Sequence, residues 1–500
     1  MNRALLALVL GVSMAADAAA QTRPLVFKPL LGRSAAQTAE PPLTMVTTAA
    51  PQATRIINPL SVPVAYNAPQ SGVVSVDMQG PVGHPPVTAV EPAPLVTQAE
   101  AYSYSGLAGA VDHQQCGRSA RPWREAFAWE DGCDTSSVCG PLGRIWFSAE
   151  YLYWWTDGEK FPALVTTSEP GTPEAVAGVL GLGSTQILFP TDPLNAHGAS
   201  GLRLGLGGWI NRTQTLGLQV GYIQLAAQEA SFYASSDPGG TPILARPFNR
   251  FNTGVPDPGA QLVAYPNVFA GDIAVEFRTT LSGIDFAFRS NLANGLRWRI
   301  DTLLGYRFLR LHDRLQIDSG QTALDGAAAR GILPGTQFVG TESFDTRNDF
   351  HGLDAGVLGE YRFGNLSLGG LLKAAYGYNY AISEINGATF TTVNGATATS
   401  AGNLLALQSN IGRTSRYKGV IVPELGFNVG WDVTSKVRLK LGYTFIYFDR
   451  LFRSSGQIDE NINTNLIPPV LGGGPVSPAP VLLQTSTAIH GLNAGLELRY

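Results

Sequence analysis

Charge is scarce in this chain. Lys and Arg (34) with Asp and Glu (38) make up only 14% of 500 residues and leave a net charge of −4. So little charge is poor material for a solvated helical enzyme, and the slightly acidic balance supplies no electrostatic footprint for nucleic acid. Cysteine is scarcer still, with only Cys116, Cys133 and Cys139. The close spacing of Cys133 and Cys139 makes them the first candidates for a disulfide in an oxidising compartment, with Cys116 left over. A metal site needs a further ligand, for which only His113 is near, so neither metal nor cofactor is expected. Long hydrophobic runs are missing too. The uncharged stretch from Ala4 to Ala16 falls short of the ~18 to 20 residues of a spanning helix, and nothing comparable follows it. What the chain does have is 57 Gly and 9% aromatic residues, a profile of many turns and strands.

The stretch from Ala4 to Ala16 follows Arg3 and precedes Ala18-Ala19-Ala20, which reads as a cleaved signal peptide over residues 1–20. Residues 21–98 carry thirteen prolines among Ala, Thr, Val and Gln. No periodicity lasts there, so a disordered, Pro-rich periplasmic leader is expected. Residues 99–142 form a transitional segment holding Trp123, Trp129 and the three cysteines.

Beyond residue 142 the pattern takes a period of two. Between Leu296 and Phe308, one parity holds Leu296, Trp298, Ile300, Thr302, Leu304, Tyr306 and Phe308. The other holds Arg297, Arg299, Asp301, Leu303, Gly305 and Arg307. Val437 to Tyr447 repeats the contrast, with Leu439, Leu441, Tyr443 and Phe445 against Arg438, Lys440, Gly442 and Thr444. Such segments suit lipid on one side and a polar lumen on the other, because Arg or Lys on a lipid face costs about 2 to 4 kcal/mol at the midplane. Ten candidates emerge: 145–155, 199–210, 215–227, 277–290, 296–308, 345–363, 366–380, 417–432, 437–447 and 487–500. Each is near or above the roughly nine to eleven residues of a tilted membrane strand.

The spacings between candidates alternate strictly. Long connections follow Trp155, Ala227, Phe308, Glu384 and Tyr447, while tight turns fall at Asn211 to Gln214, Asn291 to Asn294, Gly364-Asn365 and Val433 to Lys436. Short inner turns and long outer loops are the rule of outer-membrane barrels. The expectation is an all-β fold, a closed antiparallel up-and-down transmembrane β-barrel over residues 143–500, with ten strands and a range of eight to twelve. Leu496, Leu498 and the aromatic Tyr500 close the last strand in the manner of a barrel-assembly signal. Pro423 sits awkwardly inside the eighth strand and predicts a bulge or a late start there.

Several pieces of this region resemble a known family when taken as a set. They are Trp146 with Glu150-Tyr151-Leu152, Trp154-Trp155 and Pro162 to Ser168; Gly201-Leu202-Arg203 with Gly207-Gly208-Trp209; and Leu304 to Leu311. Further along come Asn348 to Gly352, Gly442 to Phe445, and Gly456 to Asp459 with Asn461 and Asn463. Over about residues 143–500 the chain resembles the planctomycete-type outer-membrane β-barrel porin family, seventh in its series of barrel-porin families. That resemblance implies a barrel in the bacterial outer membrane, with transport suggested by architecture and no catalytic residue to carry over.

The inward parity collects candidate lumen-lining charges: Glu150, Arg203, Asp285, Arg289, Arg297, Arg299, Asp301, Arg307, Asp354, Glu360, Arg362, Lys373, Glu424, Asp432, Arg438, Lys440, Glu497 and Arg499. Eight strands leave an interior filled by side chains and sixteen to eighteen a water channel, so ten predict a narrow or plugged lumen. Three functions are compatible with this: a slender selective pore, a non-conducting structural or adhesive envelope barrel, and a surface hydrolase. The hydrolase rests on His312-Asp313 with Asp318 near the outer rim and lacks a facing carboxylate. No enzyme is expected. Outer-membrane lipid, the barrel-assembly machinery and small solutes are the expected partners. Trp146, Trp154, Trp155, Trp209, Tyr361, Trp431 and Tyr500 are expected to form interfacial girdles.

Overall fold

The computed structural model describes residues 144–468 and 472–500. The expected signal peptide, the expected leader and the cysteine segment, with Cys116, Cys133 and Cys139, lie outside the described residues. All of those described belong to the compact unit Leu107–Tyr500.

The ten staves are β1 (Ile145–Thr156), β2 (Ala199–Trp209), β3 (Leu216–Leu225), β4 (Phe269–Asn294), β5 (Trp298–Ala323), β6 (Gln337–Phe363), β7 (Leu366–Val393), β8 (Gly412–Asp432), β9 (Val437–Phe452) and β10 (Gln484–Arg499). Each pairs antiparallel with its neighbour in sequence, and β10 pairs with β1 from Trp146↔Arg499 to Thr156↔Ile489, closing the ring. The closure leaves no membrane edge unpaired, which hydrocarbon demands. Both ends of the ring meet at the periplasmic side, where the Tyr500 carbonyl accepts from the Ile145 N–H at 2.9 Å. Gly364 has φ 62, as the first central residue of the two-residue turn joining β6 to β7 requires.

Trp298, Leu304, Leu372 and Leu441 all point outward, 41 to 60% exposed, as lipid-facing positions should. Four staves run far beyond the expected ends: β4, β5, β6 and β7 are 26 to 28 residues long. The reason is a change of solvent along an unbroken strand. In β5 the inward residues Asp301 and Arg307 give way, on the same parity, to buried Leu309, Leu311, Leu315 and Ile317, while the outward series passes from Trp298, Leu304 and Phe308 to Arg310, His312, Arg314 and Gln316. Below that crossover lipid wets the outside and polar groups line the inside; above it water wets the outside and an apolar core fills the inside. The long outer connections are correspondingly shorter than expected. That after β5 spans residues 324–336 and that after β7 spans 394–411.

The outer ends carry a folded head. Gln228–Ser235 extends the β3 line along β4, and a separate five-stranded sheet runs in the order Asn461–Ile462, Leu244–Arg250, Val165–Ser168, Thr185–Phe189, with Asp257–Ala264 on Leu244–Arg250. Its core includes Leu164, Val165, Phe277, Leu315, Phe344 and Leu404 to Leu407. The buried Glu342 anchors it, pairing with Arg246 and accepting backbone N–H groups of Leu404, Leu405 and Ala406.

Pro423 produces no bulge. The β7–β8 register runs continuously through Ala374↔Pro423, whereas the β8–β9 ladder begins only at Glu424↔Ile446. Arg450 Nη1 donates to the Gly419 carbonyl at 2.7 Å from the β9 side. N–H and C=O groups of one strand parity face the same neighbour, so Pro423, two pairs of residues along, also turns toward β9. Its missing donor falls where the ladder has stopped.

Candidate functional site

The lumen is stratified along its axis. At the periplasmic end, Asp301 is held by Arg289 at 2.6 Å and Arg299 at 2.8 Å, and Arg438 reaches Asp432 at 2.6 Å and Glu360 at 3.0 Å. Arg362 bonds Glu360 and Arg499 bonds Glu497, at 2.7 and 2.6 Å. Arg289 lies over Trp146 and Trp209, 5.4 and 5.0 Å from their ring centroids, close enough for cation–π attraction. The next level joins opposite walls. Lys373 pairs with Asp354 at 2.6 Å and Lys440 with Glu150 at 3.0 Å, while Arg307 pairs with Glu424 and lies 3.3 Å from Asp354. Asp285 lies 3.7 Å from Lys373, and Arg203 3.5 Å from Glu424. These two levels surround a cavity of about 260 Å³.

Above the cavity the interior turns apolar. Every stave contributes a buried side chain: Leu152 and Trp154, Ala199, Ile223, Leu281, Leu309, Phe350, Ala375, Val422, Phe448 and Ile489. None is more than 8% exposed. Trp154 satisfies its indole by donating to Asn493 Oδ1 at 2.7 Å, so the layer closes without leaving that donor bare.

The tip of the β9–β10 hairpin lies on top of this layer. At Arg450, φ is 56, and the β9–β10 register shifts between Phe448 and Leu451. The tip leaves β8 and crosses to β6, where Asn348 brackets Phe452, donating to its carbonyl at 2.7 Å and accepting its N–H at 2.8 Å. Ser454 Oγ donates to the Phe344 carbonyl at 3.0 Å. Between them Arg453 pairs with Asp313 of β5 and, at 3.1 Å, with Glu159 of the first outer loop. Glu159 also accepts the Ser455 N–H. Burial, reinforced by the Asp313 carboxylate, pushes Glu159 up to about 7 against the pull of Arg453. Burial opposes the Arg453 charge, yet Asp313 and Glu159 hold its pKa above the ordinary value.

Of the charges placed on the inward parity, twelve border the cavity: Glu150, Arg203, Asp285, Arg289, Arg307, Glu360, Lys373, Glu424, Arg438, Lys440, Glu497 and Arg499. Arg299, Asp301, Asp354, Arg362 and Asp432 stand behind them as ion-pair partners. Arg297 is a correction. β5 starts at Trp298, and Arg297 lies exposed in the turn 295–297, because β4 continues to Asn294 and absorbs Leu292 in a bulge opposite Ile300 and Asp301. The girdle is corrected as well. Trp146, Trp154 and Trp209 face the lumen, sharing parity with Glu150 and Arg203, whereas Tyr361, Trp431 and Tyr500 are exposed on the outside. His312 and Asp313 fall on opposite sides of β5: His312 Nε2 meets Asp345 at 3.0 Å outside, and Asp313 is buried inside. Asp318 is bonded by Gln316 and Thr341 farther up the outer side. The sequence reading missed Glu159 and the hairpin tip; Arg453 finds its partners 140 and 294 residues away in the chain, and no local pattern reports that. Leu496 and Leu498 lie on the outward parity of β10.

A sealed ring of ten antiparallel staves, wetted by lipid outside and lined by charge inside, defines an integral protein of the bacterial outer membrane. The chain belongs to the family described as Putative beta barrel porin-7 (BBP7), whose model matches residues 146–500. No curated protein sequence matches it. Similar solved structures include the outer membrane protease OmpT from Escherichia coli, at 10% identity over 73% of this chain and 100% of that one, with a TM-score of 0.35. A FadL homologue from Pseudomonas aeruginosa is 9% identical over 75% of this chain and 93% of its own, with a TM-score of 0.20. The toluene transporter TodX from P. putida is 9% identical, covering 73% of this chain and 93% of its own, with a TM-score of 0.18.

Proposed function

We propose that this protein is a non-conducting envelope barrel in the conformation described, a membrane anchor that presents its folded outer head to the surroundings of the cell. The observation that carries the reading is the apolar layer to which all ten staves contribute, since its packed apolar side chains offer an ion nothing to replace its hydration. The loops would then be the working surface, as loops on rigid scaffolds commonly are.

A second reading, a gated narrow pore, is favoured by one observation. The β8–β9 register, continued upward from Glu424↔Ile446, would set Tyr417 opposite Arg453, so the free edge of β8 is the natural seat for a tip that now lies across the lumen. Moving the tip there would unpack Phe448 and Leu451 from the closing layer. Single-channel recording in planar bilayers separates the two readings, using full-length protein whose folding is verified by heat-modifiable mobility. Silence supports the envelope barrel. Discrete steps that vanish in an oxidised Asn348→Cys/Phe452→Cys variant, built with the native cysteines changed to Ser, and that return on reduction, establish the gate and overturn it.

A further inference from the structure

The outer part of β8 is paired on one side only. Its ladder with β7 runs on to Ile385↔Gly412, whereas its ladder with β9 ends at Glu424↔Ile446, because β9 leaves it to carry the hairpin tip across the lumen. The parity that turns the Gly419 and Pro423 backbones toward β9 turns those of Arg413, Ser415, Tyr417 and Ile421 the same way. Among the described residues, only the Arg450 guanidinium reaches this edge, at the Gly419 carbonyl.

The edge stands in water. Arg310 and Asp349 of the water-wetted outer wall share a register row with Tyr380 and Tyr417. Arg413, Arg416, Tyr417 and Lys418 are all exposed although they lie on both faces of β8. A strand edge in water is a template for another strand, since its N–H and C=O groups lack fixed partners. Lipid headgroups or free anions could meet its charges, but only a second backbone supplies donors and acceptors at the spacing of a ladder.

The side chains then say which backbone. From Gly412 to Pro423 the strand carries Arg413, Arg416 and Lys418 and no Asp or Glu. Glu384 stands across from Arg413 on β7, whereas Arg416 and Lys418 stand across from Ala381 and Asn379 and have no ion-pair partner among the described residues. A second copy of the chain is a poor occupant. Antiparallel pairing of two such edges about Tyr417, the midpoint, would set Arg416 against Lys418, and like charges directly opposite are destabilising. A strand with Glu or Asp on the matching face gains from the same two residues.

We propose that the outer edge of β8, residues 412–421, is a docking site for an extended, acidic segment of another protein at the cell surface, which joins the wall as an added strand. The incoming backbone replaces the Arg450 guanidinium at the Gly419 carbonyl. The edge is free in the conformation described, whichever reading of the lumen holds.

The test is selection of a displayed library of random nine-residue peptides on the full chain in lipid nanodiscs, with folding verified by heat-modifiable mobility. Enriched peptides should carry Glu or Asp at alternate positions and avoid Pro, and their affinities are then read by fluorescence anisotropy. Ser415→Pro removes one N–H from the free edge and none from the β7 ladder, a change that an edge strand tolerates. It should weaken binding about tenfold, the upper range for one backbone hydrogen bond. Arg416→Gln with Lys418→Gln should weaken it about fivefold, as the loss of two cross-strand charge pairs would. Failure to enrich peptides on wild type over the Ser415→Pro protein overturns the proposal. Enrichment of peptides without acidic character does so too, as do acidic peptides that bind both proteins equally, which would assign them to surface charge alone. Dimers in size-exclusion chromatography that Ser415→Pro abolishes would give the edge to a second copy and overturn it as well. None of these results depends on conductance.

Discussion

Glu159→Gln is the sharpest probe of how the hairpin tip is held. Glu159 and Asp313 share one cation, Arg453, in a buried setting, and Glu159 is raised from 4.5 to about 7. At about 1.4 kcal/mol per pH unit, this amounts to about 3 kcal/mol. The sign follows from linkage. A carboxyl whose folded pKa exceeds its unfolded value binds its proton more tightly in the native state, so its contribution is fully present below about pH 4.5 and is lost as pH rises through about 7. Wild-type stability should therefore fall by up to about 3 kcal/mol between pH 4.5 and 8 on this account. Gln keeps an acceptor for the Ser455 N–H and has no proton to lose. Asp272 and Glu460, both raised by burial, slope the same way in both proteins and drop out of the difference. Urea unfolding in detergent micelles at pH 4.5, 6 and 8, followed by tryptophan fluorescence, should show the variant losing this slope and overtaking wild type at pH 8. Parallel pH profiles for the two proteins would refute the reasoning.

Three further substitutions separate the environments of the wall. Leu441→Arg puts a charge on the lipid face and should cost about 2 to 4 kcal/mol in urea unfolding from vesicles; no loss would mean that Leu441 does not meet hydrocarbon. Lys373→Ala leaves Asp354 with Arg307 alone, 3.3 Å away and shared with Glu424, and should cost about 3 kcal/mol at neutral pH by the same assay, the lower end for breaking a buried pair. Pro423→Ala restores a donor on the side where the β8 ladder has ended, so its stability should stay within about 0.5 kcal/mol of wild type. A large change in either direction would show that the ladder is not open there.

The number of staves, their order and the closing of the ring were legible because charge in the lumen and apolar residues outside are separated with a period of two. The outer ends were not. Where β5 passes Phe308 the alternation continues but its meaning reverses, and Arg310, His312 and Arg314 on the formerly apolar side read as a loop. The tryptophans of the lumen were misplaced by a preference for aromatic girdles, although Glu150 had already fixed the parity that Trp146 and Trp154 share. The inward charges could be read singly, but their cross-lumen partners could not. Arg307 and Glu424 are 117 residues apart, and only the curvature of the ring brings them together. Arg297 went wrong for a local reason, since one extra residue in β4 moved the turn.

The reversal of polarity along single strands restricts how this chain can change length. Deleting one residue from the middle of β5 would swing Leu315 and Ile317 into water and Arg314 into the head core, whereas deleting two would restore the facing of every side chain and shift only its height. Length variation within these staves should therefore come in even steps, and odd steps should be confined to the loops.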